Sequence, residues 1–341
     1  MVCNDWRPEF IMPIYRSLMG VSRGRVFTGA LTAAGTIATS ENPMGVCTSS
    51  DNKNVYVRGT AAIRMFSRDI ATGSLTSLGD FGVADTGYPA SICISADGTS
   101  VYTSKNGITI CSRNTTTGVL TLAGTIASAN LSNGISISAD GKNVYGGVPY
   151  LLTYSRNTTT GMLTLLSTYY GSYAKKSVIS ADGKNVYALN GNADTFPMFS
   201  RDTTTGILTF ISNMAVIYYN PKDSICKSPD DKNVYVISVG SLSMFSRNTT
   251  TGSLTLLANL GVGNYQGKDA VVSSDGKSLY VTNYNGAITR YNRDITTGML
   301  TYISDTTITV ESASISISAD DTSVYATNSN YNALLSIFTR S

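Results

Sequence analysis

The stretch Ser138-Ala139-Asp140-Gly141-Lys142-Asn143-Val144-Tyr145 returns as Ser180-Ala181-Asp182-Gly183-Lys184-Asn185-Val186-Tyr187. Looser copies carry Asp51, Asp97, Asp230, Asp275 and Asp320, each five residues before a tyrosine. The seven tyrosines, Tyr56, Tyr102, Tyr145, Tyr187, Tyr235, Tyr280 and Tyr325, stand 42 to 48 residues apart. A period of that length marks one supersecondary unit that buries its apolar face only against its neighbours. A second anchor, Ser-Arg-Asn/Asp-x-x-Thr-Gly-x-Leu-Thr, sets arginines at Arg68, Arg113, Arg156, Arg201, Arg247 and Arg293. A truncated copy, Thr28-Gly29-Ala30-Leu31-Thr32, opens the repeats, and Phe338-Thr339-Arg340-Ser341 begins the same motif and stops before its turn. The beginning holds the piece that the end lacks.

Each unit contains four runs of β-branched and aromatic residues. In the second they are Ala90–Ser95, Ser100–Ser104, Ile108–Arg113 and Val119–Ala123, separated by Ala-Asp-Gly, Lys-Asn-Gly and Thr-Thr-Thr-Gly. Such runs bounded by Gly/Asn/Asp clusters read as antiparallel strands joined by tight turns. Gly98, Gly141, Gly183 and Gly276 share one turn position with Asn52, Asp231 and Asp321. These are the residue types that best tolerate positive φ. Four strands per unit, seven times, predict an all-β, seven-bladed β-propeller of four-stranded antiparallel blades over residues 26–341. The strand near Ala30–Ile37 is expected to close the ring beside Leu335–Thr339, removing an exposed sheet edge. Residues 1–25 lie outside the repeats.

The units resemble the YVTN-type repeat, whose tetrapeptide stands at Tyr280-Val281-Thr282-Asn283. The combination of Ser-x-Asp-Gly-Lys, Val-Tyr and Thr-Gly-x-Leu-Thr is also similar to the lactonase-type seven-bladed propellers, which include 6-phosphogluconolactonase-like proteins. That resemblance implies the fold. It also implies a polar site of Arg, Glu and His; this chain has no histidine and only Glu9, Glu41 and Glu311, so no functional residue carries over.

Composition narrows the chemistry further. The absence of histidine in 341 residues removes Ser-His-Asp and Cys-His catalysis, His-ligated metal sites and imidazole acid–base chemistry. Net charge is +3, and charged residues make up 14 % of the chain, against an average of about 25 %. Neither nucleic acid nor membrane insertion is expected as a partner, and no cofactor or metal is called for. Three cysteines, Cys47, Cys93 and Cys226, share one slot of the innermost strand with Ser136, Val178, Val271 and Ser316. Equivalent places in different blades read as buried thiols rather than disulfide partners. The repeated Asp and Arg read as turn and blade-to-blade contacts, because a ligand site needs a few convergent groups rather than seven equivalent ones.

Two connections per blade are nearly constant and fall on one face of the disc. The variable ones, among them Phe81–Tyr88, Thr168–Lys176, Asn213–Lys222 and Asn259–Gly267, fall on the other. Tyrosines gather there, at Tyr88, Tyr169, Tyr170, Tyr173, Tyr218, Tyr219, Tyr265 and Tyr331, as on binding surfaces. They suggest a recognition face for a host glycan or protein. The arm 1–25 carries Trp6, Phe10, Ile11 and Tyr15 and suggests docking to other structural proteins of a larger assembly. Asp5, Glu9 and Arg16 interrupt the pattern of a secretion signal. These features together predict a non-catalytic exterior module, a bacteriophage virion component released by lysis. The alternatives are a cell-surface adhesion or surface-layer protein and a lactonase-type hydrolase.

Overall fold

The structure is a computed structural model. It describes residues 27–83, 91–104, 106–127, 134–147, 149–171, 174–191, 193–216, 222–308, 312–328 and 333–341, without the side chains of 222, 223, 239 and 262–266. Blade 1 has Gly45–Thr48, Asn54–Arg58, Ala62–Arg68 and Leu75–Gly82 as neighbouring antiparallel strands. Blades 2, 3 and 4 repeat this order over residues 91–127, 135–169 and 174–215. The first strands of all seven blades touch one another in sequence around the axis, and that of blade 7 touches that of blade 1. The predicted ring therefore forms and closes.

Closure is by the expected strand. Leu31–Ala38 pairs antiparallel with Leu334–Arg340, from Leu31↔Arg340 to Ala38↔Leu334, and completes blade 7 around Ser312–Ile317 and Ser323–Asn328. The two ends of the repeat region meet where the seventh Thr-Thr-Thr-Gly turn would be: the Gly29 N–H donates to the Ser341 carbonyl at 2.6 Å and the Ser341 N–H to that of Ala30 at 3.0 Å.

One connection differs from the sequence expectation. Asn259–Gly267 was expected to be a variable loop, but Leu254–Val272 is one continuous strand. Its first half is the outer strand of blade 5 and its second half the inner strand of blade 6, so the two blades share a six-stranded sheet. The preceding strand, Asn233–Arg247, folds back at Gly240 (φ 74°), so that the Asn233 side-chain amide reaches the Phe245 carbonyl at 3.2 Å. Val239 then pairs with Gln266 and holds the connection in the sheet.

The anchors weld the blades. In the turns, Ser49 donates to Asp51 at 2.6 Å and the same carboxylate accepts the Lys53 N–H at 3.1 Å. The shared turn position has positive φ as expected, from 61° at Asp321 to 70° at Gly276. Each repeat tyrosine is wholly buried between two blades, within apolar clusters such as Tyr56, Ile63 and Met65 of blade 1 with Ile92 and Val101 of blade 2. Each arginine reaches back across the seam to the previous blade. Arg113 bonds Asp51 at 2.8 Å, the Tyr56 hydroxyl at 2.8 Å and Asn54 at 2.5 Å. Arg68 closes the circle on Asp320 and Tyr325, and Arg340 holds Asp275 and Tyr280. The tyrosine in turn donates to a glycine carbonyl of the next blade, as Tyr102 does to Gly161 at 2.8 Å.

The seam between blades 3 and 4 is the exception. There Arg201 Nε turns to Asn143 at 3.1 Å, and the buried Tyr145 hydroxyl has no hydrogen-bond partner. Tyr102→Phe removes bonds to Arg156 and Gly161 and is expected to cost about 1.5–3 kcal/mol. Tyr145→Phe is expected to be neutral within about 0.5 kcal/mol, because it removes no hydrogen bond. Urea unfolding of the two variants side by side checks this; equal costs would contradict the broken seam.

The outer strands carry exposed apolar side chains, among them Leu122, Leu165, Phe210 and Tyr302. Every outer strand slips register by one residue at the same place, as between Met65 and Phe66 or between Ala33 and Gly35. A bulge there twists the free edge and hinders edge-to-edge pairing.

Candidate ligand site at the channel mouth

The cysteine slot locates the site. Cys47, Cys93, Ser136, Val178, Cys226, Val271 and Ser316 each pair with the repeat tyrosine of their own blade. Two residues earlier, where the inner strands emerge on the variable face, the seven blades present Gly45, Ser91, Gly134, Lys176, Ser224, Asp269 and Ser314. Six of these seven line a cavity of about 260 Å³, together with Lys175, Lys268 and the apolar Met44, Val46, Ile92, Ile135 and Ile315. A propeller brings one residue per blade to this ring because the first strands converge on the axis.

Four consecutive blades are joined here through Asp269. Its Oδ1 accepts from Lys176 Nζ at 2.5 Å, Ser224 Oγ at 2.8 Å and the Ala270 N–H at 2.9 Å. Its Oδ2 accepts from Ser314 Oγ at 3.0 Å and the Ile315 N–H at 3.3 Å. Lys176 Nζ also donates to Ser224 Oγ at 2.8 Å. Burial of Asp269 opposes its ionisation, but the Lys176 ammonium and these hydrogen bonds outweigh it and hold the carboxyl below the ordinary aspartate range. Two further cations flank the pair. The register slips from Ala174 to Lys176 and from Gly267 to Asp269, so Lys175 and Lys268 are bulged residues, placed outside the ladder as bulges beside functional sites often are. Lys268 Nζ lies 4.1 Å from the centre of the Tyr284 ring. Among the described residues, three lysines and one aspartate thus frame the cavity.

Other candidate groups are occupied elsewhere. The Asp–Arg ring lies in the seams on the constant face. The four described cysteines carry no disulfide; burial pushes Cys93, Cys111 and Cys226 up to about 12 and Cys47 further, so none is a thiolate at neutral pH. Glu41 accepts from Thr60 Oγ1 at 2.8 Å and from the Ala61 N–H, fixing a turn of blade 1. Among the described residues no group of three or more His, Cys, Asp or Glu side chains could hold a metal ion.

Of the tyrosines proposed for a recognition face, Tyr169 packs edge-on against Phe199 at 4.9 Å and stacks on Phe210 at 6.0 Å, at the rim rather than the mouth. Tyr170 is 72 % exposed and meets Tyr150 edge-on at 4.7 Å. Tyr265 belongs to the shared strand, with its side chain outside the description. Tyr88, Tyr173, Tyr218, Tyr219 and Tyr331 lie outside the described residues, as do Trp6, Phe10, Ile11 and Tyr15 of the arm and Glu9 and Glu311. Of the two whose side chains are described, neither Tyr169 nor Tyr170 lines the cavity. The ring itself was missed, although its signal was available: a fixed offset from the cysteine slot at which most copies are Gly or Ser and two carry opposite charges.

The sequence profile of the family described as "Lactonase, 7-bladed beta-propeller" matches residues 170–266. No curated protein matches the chain. Among solved structures, a candidate 6-phosphogluconolactonase of Bacteroides fragilis is 21 % identical over 80 % of this chain and 86 % of its own, with a TM-score of 0.69. The periplasmic gluconolactonase of Pseudomonas aeruginosa is 15 % identical over 81 % and 88 %, with a TM-score of 0.70. The Swd1 β-propeller domain of Myceliophteria thermophila is 10 % identical over 91 % and 99 %, with a TM-score of 0.72. The fold is that of the lactonase-type seven-bladed propellers.

The expectation that the chain is not an enzyme is corrected by these findings, since the matched family and the two lactonase-named neighbours point to a hydrolase. That expectation rested on missing histidines and scarce glutamates. Lys176 and Asp269, neither a histidine nor a glutamate, meet at the mouth of the channel.

Proposed function

We propose that the protein hydrolyses a lactone bearing a negatively charged substituent, at the mouth of its central channel. The observation that carries this reading is the cationic cavity in which Lys176 is held against the buried Asp269. The lactonase-type fold and the names of its neighbours support the reaction class. An ammonium group aimed at a lactone carbonyl stabilises the oxyanion that forms when water adds. The water oxygen bonds the carbonyl carbon, the bond from that carbon to the ring oxygen breaks, and the proton lost by water ends on the freed hydroxyl. Lys175 and Lys268 bind the phosphate or carboxylate of the substrate and hold the carbonyl over Lys176, while Ser91 offers a hydroxyl to the sugar.

The test compares opening of 6-phosphogluconolactone with its spontaneous rate, followed by NMR near pH 6.5, and repeats the measurement with gluconolactone. The phosphorylated lactone is expected to open well above background and to be preferred. Lys176→Met is expected to lower kcat by about 10²–10³, as loss of one oxyanion donor does. Opening at the spontaneous rate for both lactones would defeat the reading.

A further inference from the structure

We infer that Asp269 is a positioning residue: it fixes the Lys176 ammonium in the mouth without itself serving as the base. For its catalytic consequence this inference rests on the hydrolase reading; for its geometry it does not. A carboxylate offers about four lone-pair sites. Five donors already converge on Asp269: Lys176, Ser224 and the Ala270 N–H on one oxygen, Ser314 and the Ile315 N–H on the other. No acceptor site remains to take a proton from water. The residue is only 8 % exposed, so its work is done inward, on neighbouring groups.

Lys176 has the complementary arrangement. Two of its three ammonium protons go to Asp269 and Ser224, and its side chain, one-third exposed at 33 %, lines the cavity. The third proton is thereby aimed at a ligand. A lysine on a flexible stem loses considerable rotamer freedom when it is ordered. Here that ordering is achieved before any ligand arrives, by an anion set two blades away with Ser224 of the intervening blade as the bridge. The pair differs from a surface ion pair in this respect: the anion cannot swing, because backbone N–H groups of blades 6 and 7 hold both of its oxygens.

The experiment reads the ammonium directly. Trace acetylation with acetic anhydride, quantified by peptide mass spectrometry, compares Lys176 with the exposed Lys142 in the same sample. In the parent protein Lys176 is expected to label at least about tenfold more slowly than Lys142, since its nitrogen is tied to Asp269 and Ser224 in a partly buried site whereas Lys142 is exposed. Asp269→Asn is expected to raise the Lys176/Lys142 ratio about tenfold. An unchanged ratio in a folded Asp269→Asn protein would overturn the inference. Should that variant fail to fold, Ser224→Ala removes the shared bridge alone; a rise of two- to threefold supports the inference and no rise overturns it.

Kinetics give the second readout. Asp269→Asn should lower kcat as much as Lys176→Met with little change in KM, and the double variant should be no slower than either single one, because the two side chains act as a unit. Multiplying losses in the double variant would overturn the inference. If the parent protein opens no lactone but Asp269→Asn still frees Lys176 to acetylation, the positioning role stands and the hydrolase reading falls.

Discussion

A chain that begins at Thr39 is expected to lose most of its stability, melting more than 10 °C lower or failing to remain soluble. Removing Leu31–Ala38 strips blade 7 of seven paired positions and exposes the edge of Leu334–Arg340. It also takes away the Gly29 carbonyl that accepts from the Tyr280 hydroxyl at 2.6 Å, and the packing of Leu31 and Ile37 against two inter-blade clusters. At about 1 kcal/mol for each lost hydrogen bond, the loss approaches the 5–15 kcal/mol that holds a typical domain together. Thermal unfolding measures this directly. A synthetic peptide of residues 27–38 added in trans is expected to recover part of the loss, because it restores the missing strand without reconnecting the chain. An unshifted melting temperature would show that closure does not hold the ring.

Melting temperature is expected to be flat between about pH 5 and 8 and to collapse in acid. The flat region follows from composition: the chain has no histidine, the one side chain whose ordinary pKa lies in that window. The collapse follows from the seams. Asp51, Asp97, Asp140, Asp182, Asp230, Asp275 and Asp320 all have lowered pKa values. Burial works against each charge, and hydrogen bonds from the turn serine, a backbone N–H and the facing arginine outweigh it. A folded pKa below the unfolded value of about 3.9 gives stability that is complete above that value and is lost as pH falls through the folded pKa. Unfolding should therefore set in below about pH 4, at all seven seams together. The aspartates are partly exposed, 22–39 % at their side chains, so solvent screens each pair and the effect lies in their number. A melting temperature held down to pH 2 would contradict this account.

The scaffold was legible in the sequence because it is written seven times. A tyrosine that must fill the same inter-blade gap, and an arginine that must reach the same turn, recur wherever the backbone recurs. The cut repeat at Thr28–Thr32 located the closure for the same reason. Two features were not legible. The strand Leu254–Val272 depends on the pairing of Val239 with Gln266, and a Gly-rich connection reads alike whether or not it finds a partner. The mouth was hidden by the opposite property. Lys176 and Asp269 occur in one copy each, lie 93 residues apart and meet only because the ring bends them together. The abundance of tyrosines on the variable face does not by itself tell which of them approach the axis; Tyr169 packs on Phe199 and Phe210.

Within one repeat, the letters that build the disc and the letter that faces the mouth are different letters. The turn aspartate, the tyrosine and the seam arginine are tied to one another across a seam between two blades, so a change in any of them disturbs that interface. The mouth position, now reading Gly-Ser-Gly-Lys-Ser-Asp-Ser around the ring, has no side chain at Gly45 to carry such an obligation. A single codon there would rewrite one-seventh of the rim and leave the remaining six untouched. Selection can therefore explore ligand chemistry on this disc one blade at a time, much as a combination lock is reset by turning one wheel.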